Sequence, residues 1–252
     1  MRAEILRFWV TGAAYDYSDG LMWPEWKHHT IKTWLWRLAL LLRVRSVKAC
    51  RERGDVWPRL AVTMIGDRRA ANIVAMVRHV NSSSVPGCLV DCGVWRGGST
   101  IIMKQANDDD GAGRMVYCCD TFDGFLESDA QAEGVACLEG LKVSAREVTD
   151  NFIEHGVSMN GVAFLKGDVR DTLHHIVGPV ALMRLDVDMH GPTTSCLEQL
   201  YPKLSDGGVV IIDDYHFANY ECKRAVDEFR QRAGDTNQII PIDGSGAYWI
   251  KQ

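Results

Sequence analysis

The sequence has no excess of basic residues, and this absence bears on what the protein binds. Its 252 residues include 28 Lys and Arg against 33 Asp and Glu, a formal net charge of −5. Proteins that bind nucleic acids usually carry a basic face. The charge balance therefore argues against a nucleic-acid partner.

The eight cysteines form no CxxC pair and no zinc-binding pattern. Several fall inside predicted strands or helices, where a free cysteine behaves as a small buried hydrophobe. Reduced thiols of this kind are typical of a reducing compartment. The first apolar stretch carries Glu4 and Arg7 and resembles no signal peptide. We therefore expect a cytoplasmic protein.

No apolar run is long enough to cross a bilayer. The clearest candidate, residues 31–43, is interrupted by Lys32, Arg37 and Arg43, whereas a spanning helix needs about 20 apolar residues. Such a helix packs on its own domain or on a second subunit, or lies on a membrane surface. We predict no membrane span, and we interpret residues 1–60 as an N-terminal helical extension that forms a lid or a homodimer contact.

From about residue 61 the sequence alternates between strand and helix patterns. Short apolar runs typical of buried parallel strands occupy residues 88–92, 115–120, 162–168, 180–186 and 209–213. Helical patterns occupy residues 65–80, 145–155, 196–204 and 223–232, together with the segment after Gly98. Residues 239–242 and 247–250 predict a closing antiparallel pair around Asp243-Gly244-Ser245-Gly246. This alternation predicts an α/β fold over residues 61–252, a doubly wound Rossmann-like sheet with helices on both faces.

Two of the predicted strands end in paired acids. Asp186 and Asp188 close one strand, and Asp213 and Asp214 close the other. In open α/β sheets the ligand site lies beyond the carboxyl ends of the strands. Four carboxylates at one edge repel each other unless a cation or a proton intervenes, and hard divalent ions prefer oxygen ligands. The pattern predicts a divalent-metal site; the alternative is that both strands end in solvated acids.

A glycine-rich turn follows the first strand of the sheet. Gly93, Gly97 and Gly98 lead into a helix, which allows a tight turn and a close approach of a ligand to the helix N-terminus. Asp120, which ends the next strand, stands roughly where a ribose-binding acid would lie, or else caps the turn that follows. The glycine spacing is not GxGxxG, which disfavours an NAD-linked oxidoreductase. Together these features favour an adenosine-containing cofactor.

Six motifs follow one another through this part of the chain. They are Thr63-Met64-Ile65-Gly66, Gly93-Val94-Trp95-Arg96-Gly97-Gly98, Asp120-Thr121-Phe122-Asp123-Gly124, Phe164-Leu165-Lys166-Gly167, Leu185-Asp186-Val187-Asp188 and Ile211-Ile212-Asp213-Asp214-Tyr215. In this order and spacing they resemble the macrocin O-methyltransferase family, from about Trp57 to the C-terminus. Members of that family depend on S-adenosylmethionine and Mg²⁺, and many methylate sugar hydroxyls of antibiotics.

The resemblance implies a class I methyltransferase domain and roles for individual residues. Asp186, Asp213 and Asp214 would hold Mg²⁺ or another divalent cation. Asp188 would be the general base that takes the proton of the acceptor hydroxyl. The residues implied to border S-adenosylmethionine are Thr63 and Met64 in a closing segment, Asp91 and Gly93 near the methionine part, Asp120 on the ribose, Asp168 near the adenine, and Asp186.

The functional hypothesis is a metal-dependent O-methyltransferase whose acceptor is a small molecule with a sugar or secondary-metabolite hydroxyl. The chain departs from the family pattern at Val187 and at His190-Gly191-Pro192, which border the acceptor. His190 is a rival base because imidazole titrates near neutral pH, and His216 is another rival or an additional ligand. The alternatives are a catalytically inactive cofactor-binding or scaffold protein of this fold and the disfavoured NAD-linked oxidoreductase.

Overall fold

The computed structural model describes residues 21–22, 57–58, 61–134, 139–217 and 221–252. Within the first 60 residues it describes one antiparallel pair, Leu21–Met22 (β1) with Trp57–Pro58 (β2). This pair was not expected, because the region shows no strand alternation. The rest of the predicted helical extension, with its role as lid or dimer contact, lies outside the described residues.

The core of the fold is a seven-stranded sheet in the order β5-β4-β3-β6-β7-β9-β8. Its strands are β3 Cys88–Cys92, β4 Val116–Asp120, β5 Val162–Lys166, β6 Val180–Leu185, β7 Leu204–Ile212, β8 Ile240–Pro241 and β9 Ala247–Ile250. The first five strands in that order are parallel to one another, and β9 runs antiparallel to both its neighbours. The predicted doubly wound sheet with a closing antiparallel pair is confirmed.

Helices cover both faces of this sheet because successive residues of its strands point to opposite sides. Val209 and Ile211 pack against the helices at residues 67–82 (α1) and 98–109 (α2), whereas Val210 and Ile212 pack against those at residues 190–200 (α6) and 222–233 (α7). The α-helices are α1 Asp67–Ser82, α2 Gly98–Asp109, α3 Glu127–Glu133, α4 Ala145–Glu154, α5 Val169–Thr172, α6 His190–Leu200 and α7 Cys222–Ala233. None of the helices in the described ranges is long and apolar enough to cross a membrane.

Helix α6 begins earlier than the sequence predicted. The apolar pattern indicated residues 196–204, but the helix begins at His190 and carries Pro192 in its first turn. Proline is tolerated there because the first N–H groups of a helix have no intrahelical partner. The backbone N–H of His190 instead donates to Oε1 of Glu133, at 2.6 Å. The predicted helix at residues 196–204 therefore starts too late, because a first-turn proline resembles a helix break in the sequence, and it also ends too late, since α6 ends at Leu200.

The strand registers bring the ends of four adjacent strands to one edge of the sheet. Cys92 is level with Cys119 on one side and with Leu185 on the other, and Leu185 is level with Ile212. The residues that follow these positions therefore leave four adjacent strands at the same height. This is the carboxyl edge, where α/β sheets bind ligands.

Gly93 lets two of these strand ends approach closely. It has a φ of +79°, and a Cβ at this position would lie 1.9 Å from the carbonyl oxygen of Asp186. The backbone N–H of Asp186 in turn donates to the carbonyl of Cys92, at 2.9 Å. Any side chain at Gly93 would push Asp186 away from the edge.

We expect Gly93→Ala to lower the free energy of unfolding by more than about 2 kcal/mol, because it adds a backbone clash to a left-handed conformation. Urea denaturation measures the loss. Gly111→Ala is the matched control, since Gly111 has a φ of +65° but no atom within 4 Å of the added carbon. The control measures only the cost of a side chain in a left-handed conformation, which is about 1–2 kcal/mol. Equal losses in both variants would show that the contact with Asp186 adds nothing.

Candidate active site

Three acids meet beyond the ends of β6 and β7. One carboxylate oxygen from each of Asp186, Asp188 and Asp214 lies within 4.8 Å of the other two. Asp188 has a φ of +61°, a left-handed conformation that is uncommon for a residue with a side chain. Strained backbone of this kind occurs mainly at functional sites, where the surrounding structure holds it in place.

Burial and neighbouring acids raise the pKa of all three carboxyl groups. Burial is the main cause that raises the pKa of Asp188 well above its ordinary value, and the charges of Asp186 and Asp214 add to it. Burial and the charge of Asp213 likewise raise the pKa of Asp186 and of Asp214. The Oδ1 atom of Asp188 is buried and receives no hydrogen bond from the residues that the structure describes. A buried acceptor without a donor, among like charges, fits a cation.

Asp213 lies next to this group but faces two arginines. Its Oδ1 accepts a hydrogen bond from Nη2 of Arg184 at 2.8 Å, and its Oδ2 accepts one from Nη1 of Arg69. Burial alone would raise the pKa of Asp213, but the two guanidinium groups hold it below its ordinary value. The structure thus brings Asp186 and Asp214 together with Asp188 and directs the Asp213 carboxylate into an ion pair.

Arg184 is one of the residues of this site that sequence reasoning missed. It lies within β6 and only 1% of its side chain is exposed. Its Nη1 donates to Asp91 at 2.9 Å and to Ser99 at 3.2 Å, and its Nη2 donates to Asp186 at 2.6 Å as well as to Asp213. A guanidinium inside an otherwise apolar strand is rarely buried unpaired. Arg184 interrupts the apolar run of β6, and this interruption was the signal in the sequence that could have revealed it.

Arg69 provides the second positive charge from the buried face of α1. Its Nη1 is 3.7 Å from Oδ1 of Asp214, and its Nε is 3.2 Å from Oδ2 of Asp243. Two guanidinium groups therefore pair with five carboxylates, on Asp91, Asp186, Asp213, Asp214 and Asp243, and Asp188 adds a sixth carboxylate beside them. Negative charge remains in excess, and Asp188 belongs to neither arginine's set of ion pairs.

Asp91 lies below the edge of the sheet and not on it. The residue is fully buried, and its Oδ2 accepts hydrogen bonds from Ser99 Oγ and Thr100 Oγ1, both at 2.7 Å. Its other oxygen accepts from Arg184. The carboxylate thereby ties the start of α2 to the centre of the sheet. It supports the glycine-rich turn from beneath.

Asp120 organises the loops after β3 and β4. Its Oδ2 accepts from the backbone N–H groups of Val94 at 2.8 Å and Trp95 at 3.2 Å, and its Oδ1 accepts from Phe122 N–H at 2.8 Å. Burial raises the pKa of Asp120, and these hydrogen bonds oppose that rise. The capping role that the sequence offered as an alternative is thus observed. The ribose contact stays a prediction.

The segment with Thr63 and Met64 lies against the glycine-rich turn, and its role in closing over a cofactor stays a prediction. The backbone N–H of Gly98 donates to the carbonyl of Val62 at 2.8 Å. A Cβ on Gly98 would lie 2.5 Å from that carbonyl oxygen and 2.7 Å from Cβ of Thr63. The glycine therefore permits this segment to lie directly on the start of α2.

Asp168 serves as the N-cap of α5, and Arg170 connects it to α3. Arg170 contacts Asp168 through its backbone N–H and its Nε, both at 2.8 Å, and reaches Asp129 with Nη2 at 2.7 Å. Burial raises the pKa of Asp168, but the hydrogen bonds from Arg170 lower it by more, so that the pKa lies below its ordinary value. Asp168, which we predicted to border the adenine, is therefore held by Arg170, which connects α5 with α3.

The two histidines considered as rival bases are directed elsewhere. Nε2 of His190 lies 2.8 Å from Oε2 of Glu228 on α7. His216 is exposed, with its ring edge-on to Tyr215 at 4.9 Å. The structure brings neither imidazole into the group of Asp186, Asp188 and Asp214.

Comparison with known proteins identifies the family. The family model described as macrocin-O-methyltransferase (TylF) matches residues 4–251. The chain belongs to the macrocin-O-methyltransferase family. The resemblance predicted from the six motifs is confirmed, and the match extends well beyond Trp57 toward the N-terminus.

Individual relatives agree with this assignment. A tetracenomycin-C derivative 4'-O-methyltransferase of Streptomyces olivaceus, whose named substrate carries a 2,3-dimethoxy-α-L-rhamnosyl group, is 40% identical over 207 residues and covers 78% of each chain. Demethyldecarbamoylnovobiocin O-methyltransferase of Streptomyces niveus is 39% identical over 210 residues, 79% of each chain. The solved structure of the O-methyltransferase NovP superposes with a TM-score of 0.73 at 36% identity, covering 81% of this chain and 88% of NovP.

The protein is therefore an S-adenosylmethionine-dependent O-methyltransferase with a Rossmann-like sheet. These relatives support the predicted enzyme class over the NAD-linked oxidoreductase. The motifs that carried the resemblance lie at the carboxyl edge of the sheet, at the start of α2 or, for residues 63–66, directly before α1.

We expect Arg184→Met to lower the free energy of unfolding by about 3–5 kcal/mol, because it leaves buried carboxylates without their counter-ion. Chemical denaturation measures this loss. Arg232→Met is the matched control: Arg232 pairs with Glu198 at 2.8 Å, but both side chains are more than half exposed. Its removal should cost at most about 1 kcal/mol. A similarly small loss for Arg184→Met would contradict the counter-ion role.

Proposed function

We propose that this enzyme methylates a hydroxyl on the sugar part of a small secondary metabolite, using a divalent cation and Asp188 as the base. The rhamnosyl group in the name of one relative's substrate supports a sugar acceptor. The observation that carries the proposal is the convergence of Asp186, Asp188 and Asp214 at the carboxyl edge.

The acid group fits a hard divalent cation such as Mg²⁺. Its ligand atoms are carboxylate oxygens, the type that Mg²⁺ prefers, and the Asp188 Oδ1 atom is buried without a described donor. When bound, the cation would lower the pKa of a coordinated hydroxyl, and S-adenosylmethionine would supply the methyl group. Asp186 and Asp214 are the ligands that we propose on both the sequence pattern and the geometry.

We propose that the Asp188 carboxylate accepts the proton of the acceptor hydroxyl. Burial and its acidic neighbours raise the pKa of Asp188 when no cation is bound, and a bound cation would lower it, so that the carboxylate can accept a proton. General-base catalysis contributes typically about 10²–10⁴-fold to a rate. His190 is engaged by Glu228, so we assign it no proton transfer and propose that it helps shape the acceptor side of the site.

Asp213 was predicted as a third metal ligand. Because both its oxygens accept hydrogen bonds from arginine, we propose instead that it anchors Arg69 and Arg184 beneath the acid group. The two roles differ in what a substitution does to cation affinity, and the metal-binding experiment below separates them.

We propose positions around the cofactor for the remaining predicted residues. Gly93 lies at the edge itself, and Thr63 and Met64 belong to the segment over α2. We propose that Asp120 contacts the ribose and that Asp168 borders the adenine, while Asp91 acts from below through α2. We also propose that the enzyme is a homodimer and that it is cytoplasmic. The cysteines in the described part of the chain are all free thiols, which is typical of a reducing compartment.

We expect turnover to require a divalent cation. Purified enzyme, S-adenosylmethionine and a panel of glycosides with free sugar hydroxyls should form S-adenosylhomocysteine with Mg²⁺ and lose this activity in EDTA, as chromatography can measure. Undiminished turnover in EDTA would refute the metal part of the proposal. Cofactor binding by calorimetry without turnover on any glycoside would favour the inactive scaffold.

Binding of Mn²⁺, followed by electron paramagnetic resonance, tests the ligands without turnover. Mn²⁺ takes the same oxygen ligands as Mg²⁺. Asp214→Asn should weaken Mn²⁺ binding at least about 10-fold, because it removes a charged ligand. Asp213→Asn should weaken it less and lower stability instead. The opposite order would restore Asp213 as the ligand.

We expect Asp188→Asn to lower kcat by about 10²–10⁴-fold, because an amide cannot take the proton. The Kd for S-adenosylmethionine, measured by calorimetry, should stay close to that of the wild type. Asp206→Asn is the control, since Asp206 is an exposed acid at the opposite end of β7. An unchanged kcat for Asp188→Asn would assign the base to another group.

A further inference from the structure

The Asp243-Gly244-Ser245-Gly246 turn, which the sequence marked only as a hairpin connection, lies against the acid group. Strand β9 runs antiparallel to β7, with Ala247 level with Ile212. Residues that precede Ala247 therefore lie beside residues that follow Ile212. This register carries Ser245 to Asp214, although 31 positions separate them in the sequence.

Asp243 gives this turn a fixed shape. Its Oδ1 accepts hydrogen bonds from the backbone N–H groups of Ser245 and Gly246, both at 2.8 Å. The N–H of Ile242 closes the turn on the carbonyl of Gly246, at 2.9 Å. The other carboxylate oxygen of Asp243 forms the ion pair with Arg69. The turn is thus held from within and tied to α1.

Ser245 makes two contacts with the loop that follows β7. Its carbonyl accepts from the backbone N–H of His216, at 2.7 Å. Its hydroxyl Oγ donates to Oδ1 of Asp214. The backbone contact sets where the serine lies, and the hydroxyl then acts on the carboxylate itself.

We propose that Ser245 is a positioning residue that orients the Asp214 carboxylate for a divalent cation. This inference rests on the proposed function, since it assumes that Asp214 is a ligand. A carboxylate on a flexible side chain can rotate, and a hydrogen bond to one oxygen restricts that rotation. Groups that hold metal ligands in this way typically contribute about 10–100-fold to metal affinity.

Gly246 explains why the turn can lie so close. A Cβ at Gly246 would lie 3.0 Å from Cδ of Arg69 and 3.1 Å from the carbonyl oxygen of Asp213. The missing side chain lets the turn pack directly on the end of β7. The same close packing places Ser245 within hydrogen-bonding distance of Asp214.

The test is Ser245→Ala, with Mn²⁺ binding followed by electron paramagnetic resonance on the full-length protein. The expected result is a Kd for Mn²⁺ raised about 10-fold, with the Kd for S-adenosylmethionine unchanged by calorimetry. Ser245→Thr keeps a hydroxyl and should bind Mn²⁺ within about 3-fold of the wild type. Ser205→Ala is the matched control: its hydroxyl also donates a hydrogen bond, at 2.8 Å to Pro86, but from the other end of β7.

Three results would overturn the proposal. One is an unchanged Kd for Mn²⁺ in Ser245→Ala, and the second is an equal rise in the alanine and threonine variants, which would assign the effect to packing. The third is a rise of the same size in Ser205→Ala. If Ser245→Ala does not fold, Ser245→Cys replaces it, since a thiol is a weaker donor and should give an intermediate Kd. Wild-type protein that binds no Mn²⁺ would refute the metal site itself, whereas wild-type binding with an unaffected alanine variant refutes only the role of Ser245.

Discussion

The site depends on an excess of negative charge that the sheet gathers at one edge and only partly neutralises. Arg184, inside β6, is one of two buried counter-ions and contacts Asp91, Asp186 and Asp213 at once. Burying such charges is costly unless they are paired and hydrogen-bonded. The Arg184 guanidinium offsets the cost of burying these three carboxylates. One oxygen of Asp188 still has no described donor. The charges that stabilise the fold and the carboxylates of the proposed metal site therefore belong to one network.

Close backbone contacts give this network its shape. Gly93 allows the carbonyl of Asp186 to lie where any side chain would collide with it. Asp188 turns through a left-handed conformation immediately afterwards, as do Trp95 and Phe122 in the neighbouring loops. Strain of this kind persists only where the surrounding fold over-determines the backbone. The buried sheet supplies that constraint, because its strands pack on helices at both faces.

Much of the fold could be predicted because local patterns and tertiary structure agree. Buried parallel strands have to be apolar, so β3 to β7 were recognisable as runs, and the turn at Gly244 marked the closing hairpin. The start of α6 was missed because Pro192 is compatible with a first turn and with a break alike. The pairing of Leu21–Met22 with Trp57–Pro58 was missed because two-residue strands leave no periodic pattern.

The sequence by itself determined which acids end which strands, and hence that Asp186, Asp188, Asp213 and Asp214 share one edge. It also carried the ordered motifs by which the family was recognised. Only the tertiary structure decided how these acids divide, with Asp213 held by two arginines and Asp188 beside Asp186 and Asp214. The physical reason is that Arg69, Arg184 and Ser245 come from distant segments. Their contacts depend on strand register and helix packing, which no local pattern of residues encodes.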